Sequence, residues 1–300
     1  DVLTVLDFIS QGNHRYDFEW KFRALMNRTR RSVQKELEEG FSALPRGCYI
    51  QLEKVAQETV LENIKGTIVN RRYLENRLRN FTLDTGEAVS LASFLRTYPS
   101  VSPQDIYRFG TFSRLCANAN VRDNYVSPDE GSLQRAFLRM SYVDSRRWIN
   151  FMLQALRGDL PAQLSEEENR MLRMFYYVVW QKLPSQLGLK NAREGIERLT
   201  NEVVLSEELT ELLTWRYNHI DFIDEHVDVG FPCPLDLHCT YSRDAILAAV
   251  GAWTDEERPD MREGVRYLSE ENTDIFLINL HKTEKDFSPT TMYEDYAISP

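Results

Sequence analysis

The stretch LSEEENRMLRMFYYVVWQKL, Leu164–Leu183, fixes the fold class more firmly than any other part of the chain. Ser165 followed three residues later by Glu168 has the spacing of a capping box, in which each side chain satisfies a backbone N–H of the other. Glu166, Glu167 and Glu168 place negative charge at the positive end of the helix dipole. From Met171 onward the residues are apolar almost all round, which predicts a helix buried in the middle of a domain; the alternative for such a run is a docking face.

Working outward, the same start signal recurs. Ser102-Pro103-Gln104-Asp105 offers Ser at the N-cap, Pro at the first helical position and an acid at the third. Ser127-Pro128-Asp129-Glu130 predicts a second such box. Both segments carry Phe (Phe112, Phe137) and Arg (Arg114, Arg139) at equal offsets, which leaves an internal repeat open beside shared capping chemistry. Ser145–Leu156 predicts a helix carrying Trp148, Phe151, Met152 and Leu156, and further helices are predicted near Leu189–Leu199 and Ser206–Tyr217. Toward the N-terminus, Phe18, Phe22, Leu25, Thr29, Val33 and Leu37 recur at spacings of three and four, predicting a helix over Asp17–Glu39 that Gly40 ends. Leu52–Ile68 reads as a second helix and Tyr73–Phe81 as a third.

Strand signals stand at the two ends. Val2–Ile9 is a short apolar β-branched run that fits a buried parallel strand. His226–Thr240 turns to Gly, Pro and Asp, after which Ser242–Trp253 predicts a helix and Gly264–Leu268 and Asp274–Lys282 predict strands. The expected fold is therefore mainly α: a multi-helix domain over 13–235, one N-terminal strand within 1–12, and the start of an incomplete α+β module over 236–300. The final stretch reads as a strand, a polar loop and the start of a further element, with Ser288-Pro289 and Ser299-Pro300 as turn or cap signals.

An apolar content of 42% over 300 residues supports sizeable cores, and 27% charged residues with 11% aromatics exclude a disordered chain. No apolar run approaches the ~18–20 residues of a membrane helix. Cys48, Cys116, Cys233 and Cys239 form no paired motif and read as buried thiols of a reducing cytoplasm. The net charge of -10 is uneven. Residues 1–158 hold 23 Lys and Arg against 18 Asp and Glu, a balance of +5; residues 159–300 hold 13 against 28, a balance of -15. A polyanion is expected to meet the first half.

No Walker A loop, GxGxxG, HExxH or nucleophile elbow occurs. His281-Lys282 does not supply the HxK of phospholipase-D-type chemistry. Asp274, Glu284 and Lys285 invite comparison with metal-dependent nucleases, but a solvated loop accounts for them. His219, His226, Cys233, His238 and Cys239 are close in sequence, yet their spacing lacks the paired ligands of a zinc site. No catalytic, cofactor or metal residue is assigned. The informative feature is cationic. Arg23, Arg28, Arg30, Arg31 and Lys35 lie mainly off the apolar stripe of their helix, beside Trp20 and Phe22, and Arg71, Arg72, Arg77 and Arg79 extend the set. Several cations on one face bind a nucleic-acid backbone through counterion release. An ordinary solvated face is the alternative, since Glu36, Glu38 and Glu39 are nearby.

DVLTVLDFIS (Asp1–Ser10) resembles the last strand of the second RecA-like domain of superfamily II helicases. Phe18–Ile64 resembles the start of a C-terminal extension of unknown function found behind bacterial helicases of this kind, which often carry an N-terminal phospholipase-D-like nuclease domain. LHKTEKDFSPTTMYEDYAISP (Leu280–Pro300) resembles the later signature of that extension. The resemblance is strong at both ends and weak over 80–240. It implies a parent protein that is a DNA-dependent ATPase using ATP and Mg, in a restriction or antiviral-defence setting, with the helicase core and the nuclease domain as partners. The ATPase residues of that family have no counterpart in these 300 residues. The expected function is an accessory region that contacts DNA behind the motor. The alternatives are an interaction or oligomerisation scaffold, suggested by the acidic second half and the aromatic run 172–183, and a nuclease completed by a further β module.

Overall fold

The computed structural model describes residues 69–221, 225–226, 228–261 and 264–277, with the short paired segments 291–292 and 297–298. The expected strand Val2–Ile9, the helices over Asp17–Glu39 and Leu52–Ile68, and the tail signature apart from those two pairs lie outside the described residues. Among the described residues the chain is mainly α, with ten α-helices and three two-stranded antiparallel sheets. It divides into two compact units: residues up to Ser141 together with Glu207–Leu212, and Tyr142–Ser206 together with the residues from Leu213 on.

In the first unit, helix α1 (Arg71–Thr85) begins at Asn70, whose side chain accepts the Tyr73 N–H, and ends at Gly86 in the left-handed region. The sequence predicts only Tyr73–Phe81; the cap and the C-terminal glycine set the longer bounds. Leu74, Leu78 and Phe81 are its buried stripe. Phe94 of α2 (Leu91–Thr97) gathers Phe81, Tyr98 and Phe112 around it, with ring centroids 6.2, 4.9 and 5.7 Å away. Helix α3 (Pro103–Phe109) starts at Ser102 with the expected capping box closed. It is followed by α4 (Phe112–Asn118) and α5 (Glu130–Met140).

The box expected at Ser127 does not form. Helix α5 starts at Glu130 after Asp129, and the Ser127 hydroxyl is buried without a hydrogen-bond partner. Glu130 is drawn away by Arg114, which reaches both its carboxylate oxygens at 2.9 and 2.6 Å, while Tyr125 donates to it at 2.9 Å. A charge-assisted fork of this kind outcompetes a single capping bond. The repeat also dissolves, because Phe112 opens α4 whereas Phe137 lies inside α5.

The second unit is organised by α7 (Glu166–Trp180). Its capping box at Ser165 is closed, and Met171, Leu172 and Met174–Trp180 are buried. The aromatic run is core, which removes it as support for a scaffold. Helix α6 (Arg146–Arg157) starts at Ser145 and buries Trp148, Phe151, Met152 and Leu156 as expected. A 3-10 turn (Pro184–Leu187) leads to α8 (Ala192–Thr200), followed by α9 (Val203–Asn218), of which Glu207–Leu212 belongs to the first unit.

Helix α10 stops at Ala249, short of the expected Trp253, because the chain turns at Gly251 with φ +77. The 235/236 division expected from composition falls inside this unit. Gln181 bonds Asp244 at 2.6 Å, and Asp255 accepts the Ala192 N–H at 3.1 Å. Strands β1 (Glu225–His226) and β2 (Asp236–Leu237) form a short ladder, and β3 (Gly264–Leu268) pairs with β4 (Thr273–Leu277) in a hairpin. The last pair, β5 (Thr291–Met292) and β6 (Ala297–Ile298), is two residues long on each side.

Gly195 on α8 illustrates how closely this core is packed. A Cβ there would stand 2.3 Å from Cε2 of Tyr176, a fully buried ring, and Trp180 Nε1 donates to the Gly195 carbonyl at 3.0 Å. Helix propensity alone favours Ala over Gly by ~1 kcal/mol. Overpacking is expected to reverse that sign, so Gly195→Ala should lose about 2 kcal/mol. Urea unfolding reads the difference, and a gain in stability would contradict it.

Candidate nucleic-acid interface

Of the nine cations assigned from sequence, Arg23, Arg28, Arg30, Arg31 and Lys35 lie outside the described residues. The other four stand on α1, and the helix sorts them into three environments. Arg71 donates from Nε to Glu75 Oε1 at 3.0 Å, and the same oxygen accepts Asn118 Nδ2 at 3.1 Å. Its charge is already matched. Arg77 is exposed at its edge but lies over two rings, with Cζ 5.2 Å from the Tyr73 centroid and 5.1 Å from that of Tyr98. Tyr98 in turn donates to Asp84 at 3.4 Å and packs edge-on against Phe94. Arg77 therefore ties α1 to the end of α2.

Arg72 and Arg79 are both exposed. They are seven residues apart, which puts them within about 20° of each other around the helix and about 10 Å apart along it. Asn76 stands between them on the same side, and Arg79 Nη1 donates to its Oδ1 at 2.9 Å. The Asn76 oxygen takes one of the Arg79 donors, while the Asn76 amide keeps its two N–H donors. Arg72, Asn76 and Arg79 thus form one outward edge of hydrogen-bond donors carrying two positive charges. Such an edge suits oxygen acceptors of negative charge.

The residues weighed for zinc are dispersed. The His219 ring stacks on Trp215 at 4.1 Å, and its Nδ1 is 2.8 Å from the Trp215 carbonyl. His226 Nδ1 is 3.9 Å from Asp236, and Cys239 lies against the Asp144 carbonyl. Cys116, Cys233 and Cys239 are free thiols, and burial pushes the Cys116 thiol up to about 12. Among the described residues no group of three His, Cys, Asp or Glu is placed to hold a metal ion. Asp274 is exposed on β4, while Glu284 and Lys285 lie outside the described residues.

Three buried polar clusters escaped the sequence reading, and each fastens structure. Glu208 caps α4 from a distance, accepting the Phe112 and Ser113 N–H groups at 2.7 and 2.8 Å; one helical turn later Glu211 accepts the Leu91 N–H at 2.9 Å and caps α2. Asp236 accepts the Ser145 hydroxyl at 2.7 Å and pairs with Arg147 at 2.9 Å, while Arg147 also reaches Glu167 at 2.6 Å. This pins the Gly- and Pro-rich segment to α6. Arg170 joins α7, the C-terminal end of α10 and the β3–β4 turn.

No protein-family model, curated protein or solved structure matches the chain. Among the described residues no helix is long and apolar enough to cross a membrane.

Proposed function

We propose that this region is a helical accessory segment of a superfamily II helicase that grips the DNA backbone beside the motor, independently of sequence. The observation that carries the reading is the outward donor edge Arg72–Asn76–Arg79 on α1. The basic first half of the chain and the likeness of its ends to the helicase extension support it. The edge contributes charge neutralisation and register on the phosphates, not chemistry. ATP and Mg belong to the parent motor in this reading, and the nuclease domain of the same parent is the element that the grip would serve.

The test is DNA affinity of the chain against salt concentration. Each phosphate neutralised contributes ~0.9 to the slope of log affinity against log salt. Arg72→Gln/Arg79→Gln is therefore expected to flatten the slope by about 1.8 and weaken binding at low salt. The fourfold Glu variant at Arg23, Arg30, Arg31 and Lys35 tests the predicted first helix in the same assay. Affinity and slope unchanged in both variants would overturn the proposal.

A further inference from the structure

The arrangement around Arg77 also bears on which form of DNA the edge takes, an inference that rests on the function proposed above. Proteins that hold single strands combine cations with exposed aromatic rings on which the bases stack. The aromatic residues at this edge are Tyr73 and Tyr98. Both are already covered by the Arg77 guanidinium, at 5.2 and 5.1 Å. Tyr98 is further enclosed by Phe94 at 4.9 Å and Phe81 at 6.3 Å, and Phe81 itself is buried. What remains at the edge is Arg72, Asn76 and Arg79, three donor groups on one side of the helix spanning about 10 Å of its axis. Donors set at fixed intervals by a helix backbone fit a phosphate backbone of regular spacing and high charge density. A duplex carries one charge per ~1.7 Å of its axis, with its bases stacked inside and in no need of aromatic platforms.

We infer that α1 binds double-stranded DNA in preference to single strands, with Arg72, Asn76 and Arg79 on the phosphates and Arg77 as the positioning residue that holds the helix and masks the two tyrosines.

The experiment uses the whole chain and two fluorescent probes, a 30-base-pair DNA duplex and one of its strands alone, titrated at several salt concentrations. The expected result is duplex binding about tenfold tighter than single-strand binding. Arg72→Gln/Arg79→Gln, both at exposed positions, should lose most of that preference by weakening the duplex complex alone, with an unchanged circular dichroism spectrum. A single strand bound as tightly as the duplex, with steep salt dependence in both, would overturn the inference and leave the DNA-contacting function standing. Binding of neither probe would remove both. Weaker single-strand binding in Tyr73→Leu would also overturn it, because that ring would then be serving as a stacking platform.

Discussion

Replacing Arg170 with alanine is expected to destabilise the second compact unit by about 3–5 kcal/mol, the range for removing one partner of a buried ion pair. The Arg170 side chain is only 5% exposed. Its guanidinium spends its donors in three directions: Nε to Glu166 at 3.1 Å, Nη1 to the Ala249 carbonyl at 3.4 Å, and Nη2 to Glu271. The Phe231 ring lies 5.5 Å from Cζ, and Gly251, held at φ +77, passes beside the guanidinium. Burial pulls the Arg170 pKa down, but the bonds to Glu271 and Glu166 outweigh it and the net shift is upward.

Truncation strands Glu271, whose side chain is 13% exposed, and frees the last carbonyl of α10. Arg170→Lys should not rescue it, because one ammonium cannot span a planar three-way fork. Arg170→Met with Glu271→Gln should cost less than the two single changes together, a coupling of at least about 1 kcal/mol between contacting residues. Urea unfolding of the four proteins gives the cycle, and additive losses would show that the pair does not act as a unit.

What could be read from sequence was local. Ser102 and Ser165 announced their helices because a capping box involves residues three apart. Met171–Trp180 announced a core helix because no face of it is polar. Ser127 misled for the opposite reason: Arg114, sixteen residues upstream of Glu130, claims the carboxylate that the box requires. Glu208 does leave a trace in the sequence. It shares a helix face with Leu205, Leu209 and Leu212, all buried, so it is a carboxylate on an apolar stripe. Its target, the start of α4, is ninety-five residues away and has no sequence signature.

The candidate interface was legible to the same degree. The sequence names a helix at Tyr73–Phe81 and four arginines beside it, and the buried stripe Leu74, Leu78 and Phe81 is seen only in the structure. Spacing could not tell Arg72 and Arg79 from Arg71 and Arg77, because that difference is made by Glu75, Tyr73 and Tyr98. Tyr98 comes from another helix end, and the extent of α1 itself was set by Asn70 and Gly86.

Removing the Glu208 carboxylate is expected to have an effect of similar size in the first unit. Its residue is 2% exposed, and its carboxylate holds the two leading N–H groups of α4. The Ser113 and Tyr107 hydroxyls are buried beside it without reaching full hydrogen-bond geometry. Glu208→Ala leaves two buried donors orphaned at ~1–3 kcal/mol each, so a loss of roughly 2–6 kcal/mol is expected in the first unit. Glu208→Gln keeps the shape and one acceptor, so it should lose less.

The two variants differ from wild type in another way. Burial raises the Glu208 pKa above its ordinary value of 4.5, and the N–H bonds from Phe112 and Ser113, with the Ser113 and Tyr107 hydroxyl dipoles nearby, only partly offset this. In the window upward from 4.5 the folded protein therefore holds a proton that the unfolded chain releases. Stability from this group is highest below that window and falls as pH rises through it. Below the window both states are protonated and the group contributes no slope. Neither variant can titrate at this position, so both should lose this downward component of the stability–pH profile, read as urea midpoints at successive pH values. A Glu208→Gln profile parallel to wild type would mean that the carboxylate is ionised throughout, and that capping of α4 by a full negative charge outweighs its burial.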